Sequence, residues 1–268
     1  MVESRQDPGA APVAFRGAGF DPRARRLAPW IAFAAAILLW QAASSSGFLP
    51  ALYMPSPLQV LAALQRLALS GTLGRHLGWS IERIVAGWTI GAGFGLAIGI
   101  SMGIFSLVRA VGIPVVGALF PVPKIALLPL LILWFGIGEP SKIATIALGV
   151  FFPTVISAYS AVDGVPRSLI RMAQSFGLPA RDIVTKVVIP AAMPGILAGF
   201  RISTSIALIL VVAAEMIGAE YGIGAFVLAA GNLMQTDQLI AGVVILSLLG
   251  LAISFAIGRL EQWLLRWR

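Results

Sequence analysis

Few side chains in this sequence can do chemistry, and none falls in the pattern of an enzyme. There is no cysteine, which removes thiol nucleophiles, thiolate metal sites and disulfides. The one histidine, His76, cannot form a cluster; beside a membrane, a lone histidine is more often interfacial than a ligand. No HExxH, paired-carboxylate or GxxxxGK[ST] pattern occurs. No catalytic residue, metal site or nucleotide site is therefore expected in this chain. What remains is a polar segment, RMAQSFGLPARDIVTKVVIP at 171–190, and three ionisable residues in apolar surroundings, Lys124, Arg201 and Glu215. Charges in hydrocarbon are costly and face protein or water. Each of the three either pairs or snorkels, or lines a pathway, where Lys124 or Arg201 would attract an anion. Glu215 is placed to brace an outer gate or a loop carrying Glu220, Tyr221 and Gly224.

The 171–190 segment has a mechanical reading. Residues 166–176 predict one short helix, with Leu169, Ile170 and Ala173 as its apolar contacts. Gly177 permits a turn, because glycine takes positive φ at little cost. Pro179 starts a second helical piece, and Pro190 reads as its stop. Arg181, Asp182 and Lys186 then sit at the membrane surface. Such a loop is a stiff knob that another protein can grip, as in a membrane subunit driven by a separate motor. The competing reading is an amphipathic loop on anionic headgroups, where each basic residue gains about 1 kcal/mol.

The elements that position these residues are membrane helices. Apolar residues make up 59% of the 268-residue chain and charged residues 11%, with a mean hydropathy of +0.94. An average soluble domain carries roughly 25% charged residues, so a soluble core is excluded. Six spanning helices are predicted, at about 28–47, 82–105, 112–137, 141–162, 193–216 and 238–259, each near the ~20 residues a span needs. The third holds Lys124 and is interrupted by Pro121, Pro123 and Pro129, which kink a helix. Residues 49–80 lie outside, with Pro55 and Pro57 starting a short helix at 58–69 along the interface or across the bundle end.

Basic residues set the orientation. With the N-terminus inside, Arg109, Arg167, Arg171, Arg181, Lys186, Arg201, Arg259, Arg266 and Arg268 join the basic N-terminal tail on the cytoplasmic side. Only Arg66, Arg75, Arg83 and Lys142 fall outside. The net charge of +8 is thus explained by topology, and no nucleic-acid partner is needed. Residues 1–26, rich in Gly, Ala, Pro and Arg, read as a flexible cytoplasmic tail, and 27–268 as one transmembrane domain. The first span is read as an uncleaved helix, since its apolar run exceeds a usual signal core and more spans follow.

Gly91, Gly95, Gly99 and Gly103 recur every four residues on the second span. They form a flat stripe for close helix packing, either within the chain or between two copies. Gly195 and Gly199 make a shorter version on the fifth. GAGFG within the stripe does not meet the GxGxxG nucleotide pattern.

The loop resembles the cytoplasmic loop of permease subunits of binding-protein-dependent ABC importers, whose pattern is EAA, three residues, Gly, nine residues, Ile, any residue, Leu-Pro. Arg171, Met172 and Ala173 stand at EAA, Gly177 falls in register, and Val187, Ile189 and Pro190 close the motif. The departure is Arg171, a cation where the family has an acid. PKIALLPLLILWFGIGEPSKIA (123–144) and AAEMIGAEYGIG (213–224) look like the nitrate, sulfonate and taurine branch.

The resemblance implies an all-α, six-helix, type I importer permease with both termini cytoplasmic, in the bacterial cytoplasmic membrane. It implies a loop at 163–192 that couples to two cytoplasmic ATPase subunits carrying ATP and Mg, a second and identical permease copy, and an extracytoplasmic binding protein that delivers a small anion. The chain itself would hydrolyse nothing and hold no cofactor. The alternative is an ion-coupled secondary carrier or channel. Carriers of that kind show inverted repeats and intramembrane carboxylates; here no clear repeat is seen and Glu215 is the one acid near a span interior.

Overall fold

The computed structural model describes residues 27–46, 50 and 52–266, and the tail expected at 1–26 lies outside them. Among the described residues the chain is helical, with no strand. The helices are α1 (Ala28–Ser45), α2 (Pro57–Leu69), α3 (Thr72–Ile104), α4 (Ser106–Leu119), α5 (Leu128–Phe135), α6 (Glu139–Asp163), α7 (Arg167–Ser175), α8 (Ala180–Ile183), α9 (Ile189–Met216), α10 (Ile223–Asn232) and α11 (Thr236–Leu264). Four stretches are long and apolar enough to cross a membrane: α3, α6, the run Ala180–Met216 that ends in α9, and α11. A fifth is formed if the bent pair α4 and Lys124–Phe135 counts as one span. The stretch Pro29–Ser45, in the predicted first span, is apolar but shorter than the others.

The core is a sandwich of α3, α6 and α9, built on small residues. A Cβ on Gly95 would sit 2.7 Å from the carbonyl oxygen of Phe151, and one on Gly99 would sit 2.6 Å from that of Val155. Gly91 meets the backbone of Ala147, and Gly103 the side chain of Val162, in the same way. The α3 stripe therefore packs on α6 within one chain. On the other side of α6, Gly195 and Gly199 of α9 press on Ala161 and Ser157. Lipid tails offer no hydrophobic drive between helices, so close backbone approach supplies the attraction. Ile146, Val150, Ala207 and Val211 fill the middle of this sandwich, all fully buried.

Two elements depart from the sequence reading. Helix α3 begins at Thr72, ten positions before the predicted span. Gly74, Arg75, His76 and Gly78 lower the local hydropathy, but Leu73 and Leu77 pack inward and extend the helix. Its 33 residues rise about 50 Å, more than the ~30 Å hydrocarbon core. The predicted third span is broken: α4 stops at Leu119, and the chain resumes at Lys124 with an 85° bend. Pro121 and Pro123 prevent helix continuation there.

Helix α2 forms as expected. Ser56 caps it, with the Ser56 side chain and Gln59 amide, and the Gln59 side chain and Ser56 amide, bonded reciprocally. Its buried face, Val60, Ala63 and Leu67, lies on Ala241 of α11. Helix α1 touches the rest near its end, where Trp40 Nε1 donates to the Pro55 carbonyl at 3.1 Å.

Candidate functional site

The polar loop follows directly from α6. Pro166 precedes α7, and Phe176 and Gly177 end it. Gly177 has φ +71°. Its amide donates to Gln174 O at 2.9 Å, and the Leu178 amide donates to Ala173 O at 3.3 Å. These two bonds are the Schellman closure that a left-handed residue permits. Pro179 then begins α8, with the amides of Asp182 and Ile183 donating to its carbonyl at 2.9 and 3.1 Å.

Pro190 does not act as a stop. The chain runs helically from Ala180 to Met216, and Pro190 is the second residue of α9. One wide turn, Val184–Val188, takes up the misfit: the Ile189 amide reaches back to the Val184 carbonyl. Proline has no N–H and its ring crowds the carbonyl four residues earlier, here Lys186; widening that turn relieves both problems. The loop is thus fused to a spanning helix. It also has its own core: Val165, Ala173, Ile183, Val188, Ala192 and Ile196 are buried with Ala158 and Val162 of α6, and Ile170 and Val187 pack against them.

The outward face of the loop carries Leu169, Met172 and Phe176, the last 79% exposed. With Ala173, Leu178, Lys186, Val187 and Pro190 they line an open cleft of about 350 Å³. Arg171 and Arg181 are exposed, and Arg171 makes no ion pair among the described residues. Lys186 pairs with Asp182 at 2.8 Å. At the same end Arg109 of α4 pairs with Asp163 and stacks over Tyr159.

The three intramembrane charges are all satisfied. Arg201 meets Glu261 of α11 at 2.8 Å. Lys124 donates to the carbonyls of Leu119, Phe120 and Val122 at 2.9, 3.0 and 2.6 Å, and lies over Phe152. It caps the broken end of α4, where unpaired carbonyls favour a cation. Glu215 is fully buried. It accepts from Ser80 Oγ at 2.8 Å, from Arg83 Nη1 at 2.8 Å and from the Gly224 amide at 2.8 Å. The Gly224 amide belongs to the segment that also carries Glu220 and Tyr221.

The sequence reading missed the partner. Arg83 and Lys142, read from the sequence only as cations on the outer side, are buried, Arg83 at 2% exposure. Arg83 holds Glu139 through Nε and Nη2 at 2.5 and 2.8 Å, Glu215 through Nη1, and the Tyr221 carbonyl at 2.6 Å. Lys142 Nζ stands 3.4 Å from Glu139. His76 Nδ1 lies 3.1 Å from the Gly222 amide nitrogen. One signal was available: Arg83 lies inside the predicted 82–105 span, Lys142 inside the predicted 141–162 span, and Glu139 just before the latter.

The comparisons agree with this architecture. Residues 90–267 match the family described as the binding-protein-dependent transport system inner membrane component. The putative aliphatic sulfonates transport permease protein SsuC of Bacillus subtilis is 38% identical over 87% of this chain and 84% of its own length. The taurine transport system permease protein TauC of Escherichia coli is 35% identical over 86% of each. A solved inward-facing structure of the MetNI methionine ABC transporter superposes with a TM-score of 0.59 at 23% identity, over 69% of this chain and 92% of that one. At that identity the likeness speaks for the fold. The chain belongs to the binding-protein-dependent transport system inner membrane components, the permease subunits of ABC importers.

Proposed function

We propose that this chain forms the translocation pathway of an ATP-driven importer for a small organic anion, an aliphatic sulfonate or taurine before nitrate. Two copies line the pathway in a bacterial cytoplasmic membrane. Each has six spans, with α1 as the first and the bent α4–α5 pair as the third, and both termini are cytoplasmic. Two ATPase subunits carrying ATP and Mg dock on the 163–192 loop, and an extracytoplasmic binding protein delivers the solute. The chain itself is no enzyme and holds no cofactor; membrane lipid covers its apolar flanks.

The observation that carries this reading is the fusion of the loop to α9. A floppy loop absorbs motion. Here α7 is closed by the Gly177 turn and shares a core with α6, and the second half of the loop, from Ala180, continues without interruption into a spanning helix. Exposed Met172 and Phe176 give a partner an apolar grip, and the relatives named for sulfonate and taurine transport support the solute class. Lys124 and Arg201 remain pathway candidates only through their field, because both are already bonded.

The test is a gentle-detergent pull-down of the tagged chain from its native membranes, with mass spectrometry of its partners. An ATPase subunit that is retained by the unaltered chain and lost on Gly177→Pro supports the reading. Absence of any ATPase from a folded chain overturns it in favour of an ion-coupled carrier.

A further inference from the structure

Arg83 shares one guanidinium between two carboxylates, and the two are not equivalent. Glu215 is sealed: it also binds Ser80 Oγ and the Gly224 amide, and its side chain is 0% exposed. Glu139 binds cations alone, Arg83 and Lys142, and its side chain is 37% exposed. It is the first residue of α6, after Gly136 at φ +82° and Gly138, and a Cβ on Gly136 would touch nothing within 4 Å. The Glu139 carboxylate can therefore leave its place without disturbing the packed α3–α6 seam.

What it would leave behind is a receptor. Arg83, Lys142 and Glu215 carry a net positive charge between them, both cations are at most 5% exposed, and no other acid among the described residues pairs with Lys142. The other ion pairs differ: Arg66–Asp237, Arg109–Asp163, Lys186–Asp182 and Arg201–Glu261 are one-to-one and partly open. The Nε and Nη2 atoms of Arg83 present the planar fork that takes two oxygens of an oxyanion. Lys142 sits at 3.4 Å, a long contact for the two-oxygen carboxylate. A sulfonate has a third oxygen to give it.

We propose that Arg83 and Lys142 form an anion seat, filled here by the Glu139 carboxylate, and that a transported sulfonate takes it by displacing Glu139. This rests on the importer reading, in which this end of the bundle faces outward. Helix α6 is 25 residues long from Glu139 to Asp163, about 36 Å of helix rise between these two ends, so the seat stands at the opposite end from the 163–192 loop. A tethered competitor lowers the apparent affinity by the fraction of time it occupies the seat. Entry is then selective and release is easy, as a transport site requires.

The test uses the full chain in phosphatidylcholine nanodiscs, with methanesulfonate as the probe and chloride at equal ionic strength as the reference. Glu139→Ala should unfold at a lower temperature and regain about half or more of that loss in methanesulfonate only, and Glu139→Ala combined with Lys142→Met should regain none. Recovery equal in chloride, or absent, overturns the proposal. Recovery by phosphatidylglycerol with methanesulfonate silent also overturns it, by assigning the seat to a lipid phosphate. If Glu139→Ala does not fold, methanesulfonate binding is measured by calorimetry on Glu139→Gln. Affinity raised at least about tenfold over the unaltered chain, as removal of a resident competitor requires, supports the seat, and equal affinity overturns it. None of these readouts depends on a co-purifying ATPase, so the pull-down above and this test fail separately.

Discussion

Arg83 and Glu215 lie 132 residues apart in sequence and meet at 2.8 Å, both almost fully buried. The pair joins α3 to α9, and the start of α10 is held beside it: the Gly224 amide donates to Glu215, and the Ile223 amide to Ser80, which itself donates to Glu215. It closes one end of the α3–α6–α9 sandwich, opposite the polar loop. The helix body between them is welded by glycine contacts along its length.

Removing Arg83 leaves Glu215 without a cation in a dry site, which costs about 3–5 kcal/mol. Arg83→Met should lower the thermal unfolding temperature of the purified chain markedly, and Glu215→Gln less, since Arg83 keeps Glu139. Arg83→Met with Glu215→Met should cost clearly less than the sum of the two single changes, because contacting residues are not additive. A double-mutant cycle by thermal unfolding checks this, and additive losses would remove the ion pair as the keystone of that end.

The glycine stripe makes a position-by-position prediction. Gly99→Ala places a Cβ 2.6 Å from the Val155 carbonyl oxygen, whereas one on Gly93 meets nothing within 4 Å. Overpacking of the first kind costs about 1–3 kcal/mol. Gly93→Ala should be neutral or slightly stabilising, since alanine is the better helix former. Parallel melts of the two variants, at equal expression, give the comparison.

Gly177 is tested by residue type. A non-glycine side chain in the left-handed region costs about 1–2 kcal/mol, with asparagine the best tolerated. Gly177→Val should loosen the loop and reduce ATPase co-purification well below that of Gly177→Asn. Since Gly177 is surrounded by open space, a steric clash does not explain any difference, and equal retention by both variants would show that the turn is not what the partner grips.

Arg201 should matter little for stability. Its pair with Glu261 is about half exposed on the arginine side, and such pairs contribute about 0–1 kcal/mol. Arg201→Gln is expected to melt within a degree or two of the unaltered chain. A transport loss of tenfold or more in that variant, with the melt unchanged, would place Arg201 on the solute path instead.

Sequence alone determined the class of this protein, because hydropathy and charge report on solvent, and a chain with 11% charged residues cannot face water all round. It determined the polar loop as well. The left-handed Gly177, the start at Pro179 and the inward Ala173 are local consequences of residue type, and local rules survive folding. It located Glu215 and the Gly224 loop that Glu215 holds.

Tertiary structure decided what depends on distance in space. The spacing of Gly91, Gly95, Gly99 and Gly103 promises a flat face without naming what lies on it; only the fold shows that α6 of the same chain does. Pro190 carries a local rule for breaking helices, yet the wide Val184–Val188 turn absorbs it and leaves the loop continuous with α9. Arg83 and Lys142 were legible as cations near a span end but not as buried ones. Arg83's carboxylates arrive from 56 and 132 positions away, while that of Lys142 lies one turn back on α6 and is itself held by Arg83, and burial of a charge is a property of the assembled set, written in no single segment.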